Sequence, residues 1–489
     1  MKPINRKQLI WRTVDVERLV EEDHPVRAIW EMVGRLDLGR FCEDIEAVEG
    51  VAGRSALDPA LLISLWVYGY SEGVGSAREI SRRCEYHPAY QWLTGVMVIN
   101  HHTLSDFRVK HKEALDELFT EVLGVLSLEG LVSIGRVVHD GSKVKANAGV
   151  DTFRREEKIR AHLEVARQQV EQMGDPRSDE TSRTQAKARE RAVRERKERL
   201  ELALGELERL RGSKRGQEEK EKLRVSETDP EARIMKQGDG GYAPSYNMQI
   251  STQASHGIVV GVGVSQAGSD YGLLTEAVEQ VGQRMGEMPE QFITDGGFTS
   301  RENILEMSGR GVDFYGSLGD GSEQTAGQMK RREVDEAFGP EAFVYDEQND
   351  RYLCPVGEVL RYAGKQKGKG VIKHTYRMSR AVCVSCPQRP KCCPHNGARG
   401  RSIVRTEESA EVLEFRAKME TEEAKQIYRQ RGAVAEFTNC WIKEKLGLRQ
   451  FRLRGLIKVG IEALWVCLTY NIQQWIRLRW RPLHTQSAC

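Results

Sequence analysis

Apolar residues recur along this chain with more than one period, and the changes of period divide it. Up to about residue 125 the period is helical. Asp58-Pro59 predicts a helix start, since Asp suits the cap and Pro the first turn. The run Ala60 to Tyr70 is apolar enough to be buried, Gly73 and Gly75 break it, and Ser76 can cap a second helix. The segment His101-His102-Thr103-Leu104-Ser105-Asp106-Phe107-Arg108 begins a third helix, which carries Leu115, Leu118 and Val122 inward. Short helices joined by Gly-bearing turns suit a helix-turn-helix module, and a helical bundle without DNA contact fits the same pattern.

Beyond this the signals alternate. Residues 131–140, LVSIGRVVHD, are rich in β-branched residues and predict a strand ending at Asp140. In 153–224, Ile159, Leu163, Ala166 and Val170 recur at helical spacing, and Val193, Leu200 and Leu207 recur every seven with Leu204 between. Gly174-Asp175-Pro176-Arg177-Ser178 separates the two stretches as a turn signal. Together they predict an antiparallel helical hairpin, whose charges form either a solvated face or an interaction arm. Strand signals return at Tyr246–Gln253, Ile258–Val264, Gln291–Thr294 and Val312–Tyr315, with helical stretches at 272–285 and 301–309. That order is an α/β pattern whose sheet is interrupted in sequence by the hairpin. Residues 408–480 read as helical again.

Charge changes this picture only where it is segregated. The 489 residues carry a formal net charge of +2, which by itself announces no nucleic-acid partner. Yet between Glu358 and Glu407 there are twelve Lys or Arg and no acid, and from Lys425 onward twelve basic residues face three acidic ones. No run approaches the roughly 18 apolar residues needed to span a bilayer. The first residues, MKPINRKQLIWRTVDVERL, lack the apolar core of a signal peptide, so a cytoplasmic place is expected. Cysteines are then expected to be reduced, and a cluster of them points to metal before disulfide. Cys383 and Cys386 have zinc-knuckle spacing, Cys392 follows, and Cys354 lies upstream. Four such thiolates would close a structural zinc site, with Cys393 or His395 as replacements for one ligand. Reduced, unliganded thiols in an insertion are the plainer alternative.

Asp140 and Asp295 each follow an apolar run and precede Gly. Such positions can offer a carboxylate from a rigid strand end, although Asp-Gly is also a common turn. Carboxylates matter because phosphodiester cleavage needs a nucleophilic water or hydroxyl and neutralisation of the leaving oxygen, which two divalent ions supply together. Glu436 stands alone on a helix, where an isolated glutamate is ordinarily a surface residue.

Several segments together resemble the DDE transposases of bacterial insertion sequences, of the broad IS-four/IS-five type. DPALLISLWVYGY, SAREISRR and HHTLSDFR are similar to the family's N-terminal helical region. HDGSKVKANAG, DPEARIMKQGDGGYAPSYNMQIS and ITDGGFTSRENI are similar to its strand segments, with Asp140 and Asp295 at the two aspartates. YRQRGAVAEFTNCWIKEKLGLRQFRLRG and KVGIEALWVCLTYNI resemble its signature helix, with Tyr428, Arg431, Glu436 and Lys443 in the Tyr, Arg, Glu, Lys series. Two departures stand out. Four residues separate Arg431 from Glu436 where the narrower signature has three, and Ala435-Glu436-Phe437 replaces the frequent Val-Glu-Pro.

The resemblance implies an α/β fold: a ribonuclease-H-like mixed sheet with helices, interrupted by a helical hairpin (151–228) and a basic, cysteine-bearing, zinc-ribbon-like insertion (318–407). An N-terminal helical DNA-binding domain (1–128) would precede the catalytic domain (129–489). It implies that Asp140, Asp295 and Glu436 hold two Mg2+ or Mn2+ ions, and that Tyr428, Arg431 and Lys443 contact DNA. The substrate would be double-stranded DNA, both terminal inverted repeats and target, cut and joined by a homodimer and with no membrane involved. A nuclease that cuts without strand transfer, and an inactive DNA-binding derivative, are the rival readings.

Overall fold

A computed structural model describes residues 13–43, 56–173, 183–319, 322–395 and 400–486; the expected turn at Gly174–Ser178 lies outside them. Helices come first: α1 Pro25–Val33, α2 Gly39–Cys42, α3 Pro59–Ser71, α4 Ala77–Tyr86, α5 Pro88–Thr94, α6 His101–Lys110 and α7 Lys112–Leu128. Their ends follow local chemistry. Proline opens α1, α3 and α5, where its missing N–H has no partner to lose. Asp58 accepts from the Ala60 amide, Ser76 from Glu79 and Asn100 from His102, each capping the helix that follows. Gly95, with φ +58, closes α5 in the left-handed conformation that a side chain would disfavour.

Strands β1 Arg136–Lys145 and β2 Phe153–Arg154 follow, then α8 Glu156–Met173, α9 Arg183–Ser213 and α10 Gln217–Glu221. Next come β3 Val225–Ser226, β4 Arg233–Lys236, β5 Tyr242–Gln253, β6 Val259–Ser265, α11 Leu274–Met285, β7 Gln291–Ile293, α12 Arg301–Gly309, β8 Asp313–Tyr315 and α13 Ser322–Arg331. The last third holds β9 Val344–Asp346, β10 Arg351–Leu353, β11 Val359–Gly368, β12 Val371–Arg377, α14 Arg380–Ser385, α15 Arg389–Cys392, β13 Ser402–Glu408, α16 Ala410–Glu420, α17 Glu422–Cys440 and α18 Leu456–Trp475. Single π turns follow α17 (Trp441–Lys445) and α18 (Ile476–Trp480). The chain is thus mixed α/β, and among the described residues no helix is long and apolar enough to cross a membrane.

The chain divides into two compact units, the first made of Met1–Ser269, Glu279–Met288 and Gly432–Cys489. In this unit β5 is the central strand. β1 pairs along one edge of it, antiparallel, while β4 and β6 take successive stretches of the other. Helix α18 packs on β6 and on α3 and α7, so the first and last parts of the chain share one core. It is apolar on all faces, as a helix surrounded by protein must be. Several of its polar groups are placed against partners. Asn471 accepts from the Val259 amide and donates to the Val259 carbonyl, and the Tyr470 hydroxyl donates to the Gly257 carbonyl. The Trp465 indole donates to the Arg108 carbonyl. Glu462, buried, accepts from the amides of Arg452 and Leu453 at 2.9 Å each. Gly447, with φ +71, comes so close to Gly73 that a Cβ would stand 3.3 Å from its carbonyl oxygen. Helices α8 and α9 meet through Ile159, Leu163 and Ala166 on one side and Leu200, Ala203 and Leu207 on the other, with Val225 of β3 closing the cluster.

The second unit comprises Asp270–Val278 and Pro289–Arg431. Here β7 and β8 pair in parallel, with α12 between them in sequence. Phe415 of α16 stacks on Phe314 of β8 at 5.7 Å, and Glu408 receives both Arg301 and Arg416. Those two guanidinium groups, Arg416 foremost, hold the Glu408 carboxyl below its ordinary range. Strands β9 to β13 form an antiparallel sheet in the order β13-β12-β11-β10-β9 around Phe343, Leu360, Tyr376, Met378 and Ile403.

Two expectations need correction. The first strand does not end at Asp140: it continues to Lys145, and Asp140 lies mid-strand opposite Ile250. The polar stretch Asp140–Lys143 hid this continuation, because here the long partner β5 enforces the pairing and side-chain hydrophobicity does not. The five strands of the cysteine-bearing region were also unforeseen: most of their positions are exposed or half-buried, around an apolar core of few residues.

Glu462 yields a pH prediction. Burial raises its pKa above the ordinary 4.5, against the opposing pull of the two bound amides and of Arg108 and Arg452. The folded chain therefore holds this proton more tightly than the unfolded one. The corresponding stability is complete below pH 4.5 and declines as pH rises through the folded-state pKa. Glu462→Gln should flatten that part of the profile of thermal midpoint against pH. Glu462→Ala, which strands two amides, should cost about 1–3 kcal/mol per unpaired donor. An unchanged profile in the Gln variant would contradict the assignment.

Candidate functional site

Asp140 is fixed by its strand. Its neighbour His139 points into the sheet, buried, with Nδ1 2.8 Å from Ser251 Oγ and Nε2 2.9 Å from Gln249 Oε1 on β5. A ring that donates from Nε2 to the Gln249 carbonyl oxygen accepts at Nδ1 from the Ser251 hydroxyl. These two bonds pin the register, and a shift of one residue would move Asp140 to the opposite face.

The residue that meets Asp140 is Asn439, near the C-terminus of α17. Its Nδ2 donates to Asp140 Oδ2 at 2.9 Å across 299 residues of sequence. The amide engages one carboxylate oxygen without adding charge. Lys443 is the second neighbour: it lies on the π turn after α17, and burial lowers its pKa while the charge of Asp140 opposes that shift. In an unbroken α-helix Lys443 would follow Glu436 by about two turns. The π turn widens the helix before Lys443 and so resets its direction, a distortion often found at functional positions.

Glu436 is exposed on α17, and Gly432 lies one turn before it. The departure at Phe437 has a packing role: its ring stands 5.4 Å from Trp441, and the Arg477 guanidinium lies over it at 5.9 Å. Tyr428 and Arg431 occupy the first part of α17, half-buried, with the Arg431 guanidinium 5.8 Å from the Tyr428 ring.

Asp295 stands two residues beyond the end of β7, after Thr294. Its Oδ1 accepts from the Gly297 amide at 2.8 Å, and its carbonyl oxygen accepts from the Thr299 hydroxyl at 2.9 Å. One carboxylate oxygen therefore serves the turn, and turn and ligand roles are compatible. Asp270 was missed in the sequence: a Cβ on Gly297 would stand 3.6 Å from its Oδ2, so a second carboxylate lies at this turn. Asn439, His139 and Asp270 left no signal in the sequence, because each matters through a partner brought by folding.

Cys354, Cys383, Cys386, Cys392 and Cys393 line one small cavity of about 30 Å³, alongside Phe343. The Arg401 amide donates to Cys383 Sγ at 3.4 Å. All five are free thiols, and burial pushes Cys392 up to about 12. His395 does not line this cavity; it pairs with Glu333 at 2.9 Å. Among the described residues no three or more His, Cys, Asp or Glu side chains stand together as a ready metal-holding group.

Two family models match the chain. Residues 353–476 match one described as Transposase DDE domain, and residues 14–110 match one described as Transposase domain (DUF772). The first stretch contains Tyr428, Arg431, Glu436, Asn439 and Lys443; Asp140 and Asp295 lie outside both. No curated protein and no solved structure matches the chain.

The Asn439–Asp140 bond is directly testable. Asn439→Ala should lower stability by about 1.5–3 kcal/mol, the range for a hydrogen bond to a charged group, read by chemical denaturation. Asn439→Asp sets a carboxylate against a carboxylate and should be less stable still at pH 7, with the gap closing in acid. Equal stability of the two variants at pH 7 would show that the pair is not formed.

Proposed function

We propose that the chain is a DDE transposase of an insertion sequence, as the two matching family models indicate, and that it cuts DNA at the ends of its element and joins the freed 3′-hydroxyls to target DNA. The observation that supports this most is the company of Asp140. A strand carboxylate meets Asn439 and Lys443 of the helix that bears Glu436, although some 300 residues separate them in sequence. An aspartate in an ordinary turn would have no need of a half-buried lysine nearby.

In this reading Asp140, Asp295 and Glu436 supply the hard oxygen donors that Mg2+ or Mn2+ prefers. Asp140 and Asp295 are half-exposed and Glu436 is exposed, so the carboxylate oxygens of each are open to an ion. Bound divalent ions would activate first water and then a 3′-hydroxyl, and would neutralise charge on the leaving oxygen. Asn439 orients Asp140 by holding Oδ2, as outer-sphere donors do for metal-ligating carboxylates. Lys443, partly desolvated, places a positive charge beside Asp140 where a phosphate would lie. Tyr428 and Arg431 contact the DNA backbone, Arg431 with a fork suited to phosphate oxygens. Two ends must be cut and joined, which a homodimer on DNA would do with one site per end.

The basic cysteine-bearing region takes a structural part. Its apolar core is small, and Cys354, Cys383, Cys386 and Cys392 share one cavity, which supports a zinc-stapled module. Zinc content of the purified chain tests this: about one ion per chain is expected, lost in the double variant C383S/C386S. Purified chain without zinc would remove that part of the proposal and leave the catalytic part standing.

The catalytic part has its own test. Asp140→Ala should abolish cleavage of DNA carrying the element's ends while leaving DNA binding intact. Joining of cut ends to a target plasmid separates a transposase from a nuclease that only cuts. Cutting that survives in the Ala variant would refute the assignment.

A further inference from the structure

The base of the α8–α9 hairpin carries a cleft that the reading above does not use. Strands β2 and β3 form the neck of this hairpin, with Arg154 opposite Val225. Beside that pair the chain opens a cleft of about 330 Å³, lined by Phe153, Arg154, Arg155, Glu157, Lys158 and Arg224. At about 30 Å³ per water, this space would hold on the order of ten waters. Four cations and one carboxylate therefore line it. Phe153 is buried and closes the floor, and Arg155 and Lys158 are exposed at the rim.

What these four cations lack is a protein partner. Close by, Arg160 and Arg211 both bind Glu156, and Arg233 and Arg209 both bind Glu206. Among the described residues, no ion pair or side-chain hydrogen bond engages Arg154, Arg155, Lys158 or Arg224. Four like charges around one concavity repel each other, and a bound anion relieves that repulsion. We infer that this cleft is a phosphate-binding site for the DNA backbone, a contact made by the neck of the hairpin and separate from Asp140.

The chemistry selects a backbone contact and not base reading. The lining offers guanidinium and ammonium donors, and its single aromatic ring is buried and cannot stack on a base. Such contacts position DNA and give affinity without sequence preference. The inference rests on the chain acting on DNA, but on none of the carboxylate assignments.

The test uses the full chain, duplex DNA carrying an element end, and buffer without divalent ion, so that no cutting occurs. Affinity is measured by fluorescence anisotropy across a series of salt concentrations. In R154Q/R155Q and in K158Q/R224Q, log affinity should fall less steeply with log salt, by about 0.9 for each phosphate no longer neutralised. Both variants should bind more weakly, equally for end-bearing and unrelated duplexes. The charge-keeping variant R154K/R155K/R224K should retain the parent slope, and this separates removal of charge from damaged folding. An unchanged slope in both Gln variants overturns the inference, whether or not affinity falls. Weaker binding confined to end-bearing DNA overturns it as well. Cleavage by the parent chain and its loss in Asp140→Ala stand or fall independently of these results.

Discussion

Helix α18 is enclosed by protein along most of its length, and the hydrogen bonds of its buried polar groups tie the first unit together. Trp465, Tyr470, Asn471 and Trp475 each reach a partner in a different segment: Arg108, Gly257, Val259 and Glu129. Because the alternative is a stranded polar group costing about 1–3 kcal/mol, these bonds fix where the β5–β6 hairpin and the N-terminal helices lie against one another. Glu462 extends the same logic to the loop before the helix by binding two successive amides. That loop leads back through Leu446 and Lys445 to the π turn and α17.

The surroundings of Asp140 are likewise set by partners from distant segments. Asp140 is held on a strand whose register is set by His139 between Ser251 and Gln249. Asn439 and Lys443 come to it from a helix whose approach is set elsewhere. The carboxylate is therefore constrained from two independent directions, by the sheet and by the helix. A group that must present oxygens in a defined direction gains from such constraint, since little reorganisation remains when charge develops nearby. Lys443 lies on the π turn that follows α17, within the influence of Asp140.

The cysteine-bearing sheet and the α8–α9 hairpin depend on different physics. In the hairpin, six apolar residues of two helices face each other and the remaining surface is charged. In the sheet, a handful of large side chains around Tyr376 form the core, and the thiols gather at its margin. Neither resembles the deep core around α18. Each is a local assembly able to display basic residues, and the neck of the hairpin collects four of them in one cleft.

Elements with a local cause were legible in the residues alone. Asp58-Pro59 and Ser76 marked helix starts, and α12, β7 and β8 fell where periodicity put them. The family was legible too, through the ordered segments that resemble it, several of which fall within the matching family models. That β1 runs through Asp140 became visible only on folding, because a polar stretch becomes a strand when a long neighbour supplies its backbone partners. Folding also brought forward Asn439, His139 and Asp270, and it gathered five cysteines at one cavity. The physical reason is the same throughout: these roles belong to pairs of residues. A pair separated by hundreds of positions leaves no periodicity, no cap and no spacing in a single chain of letters.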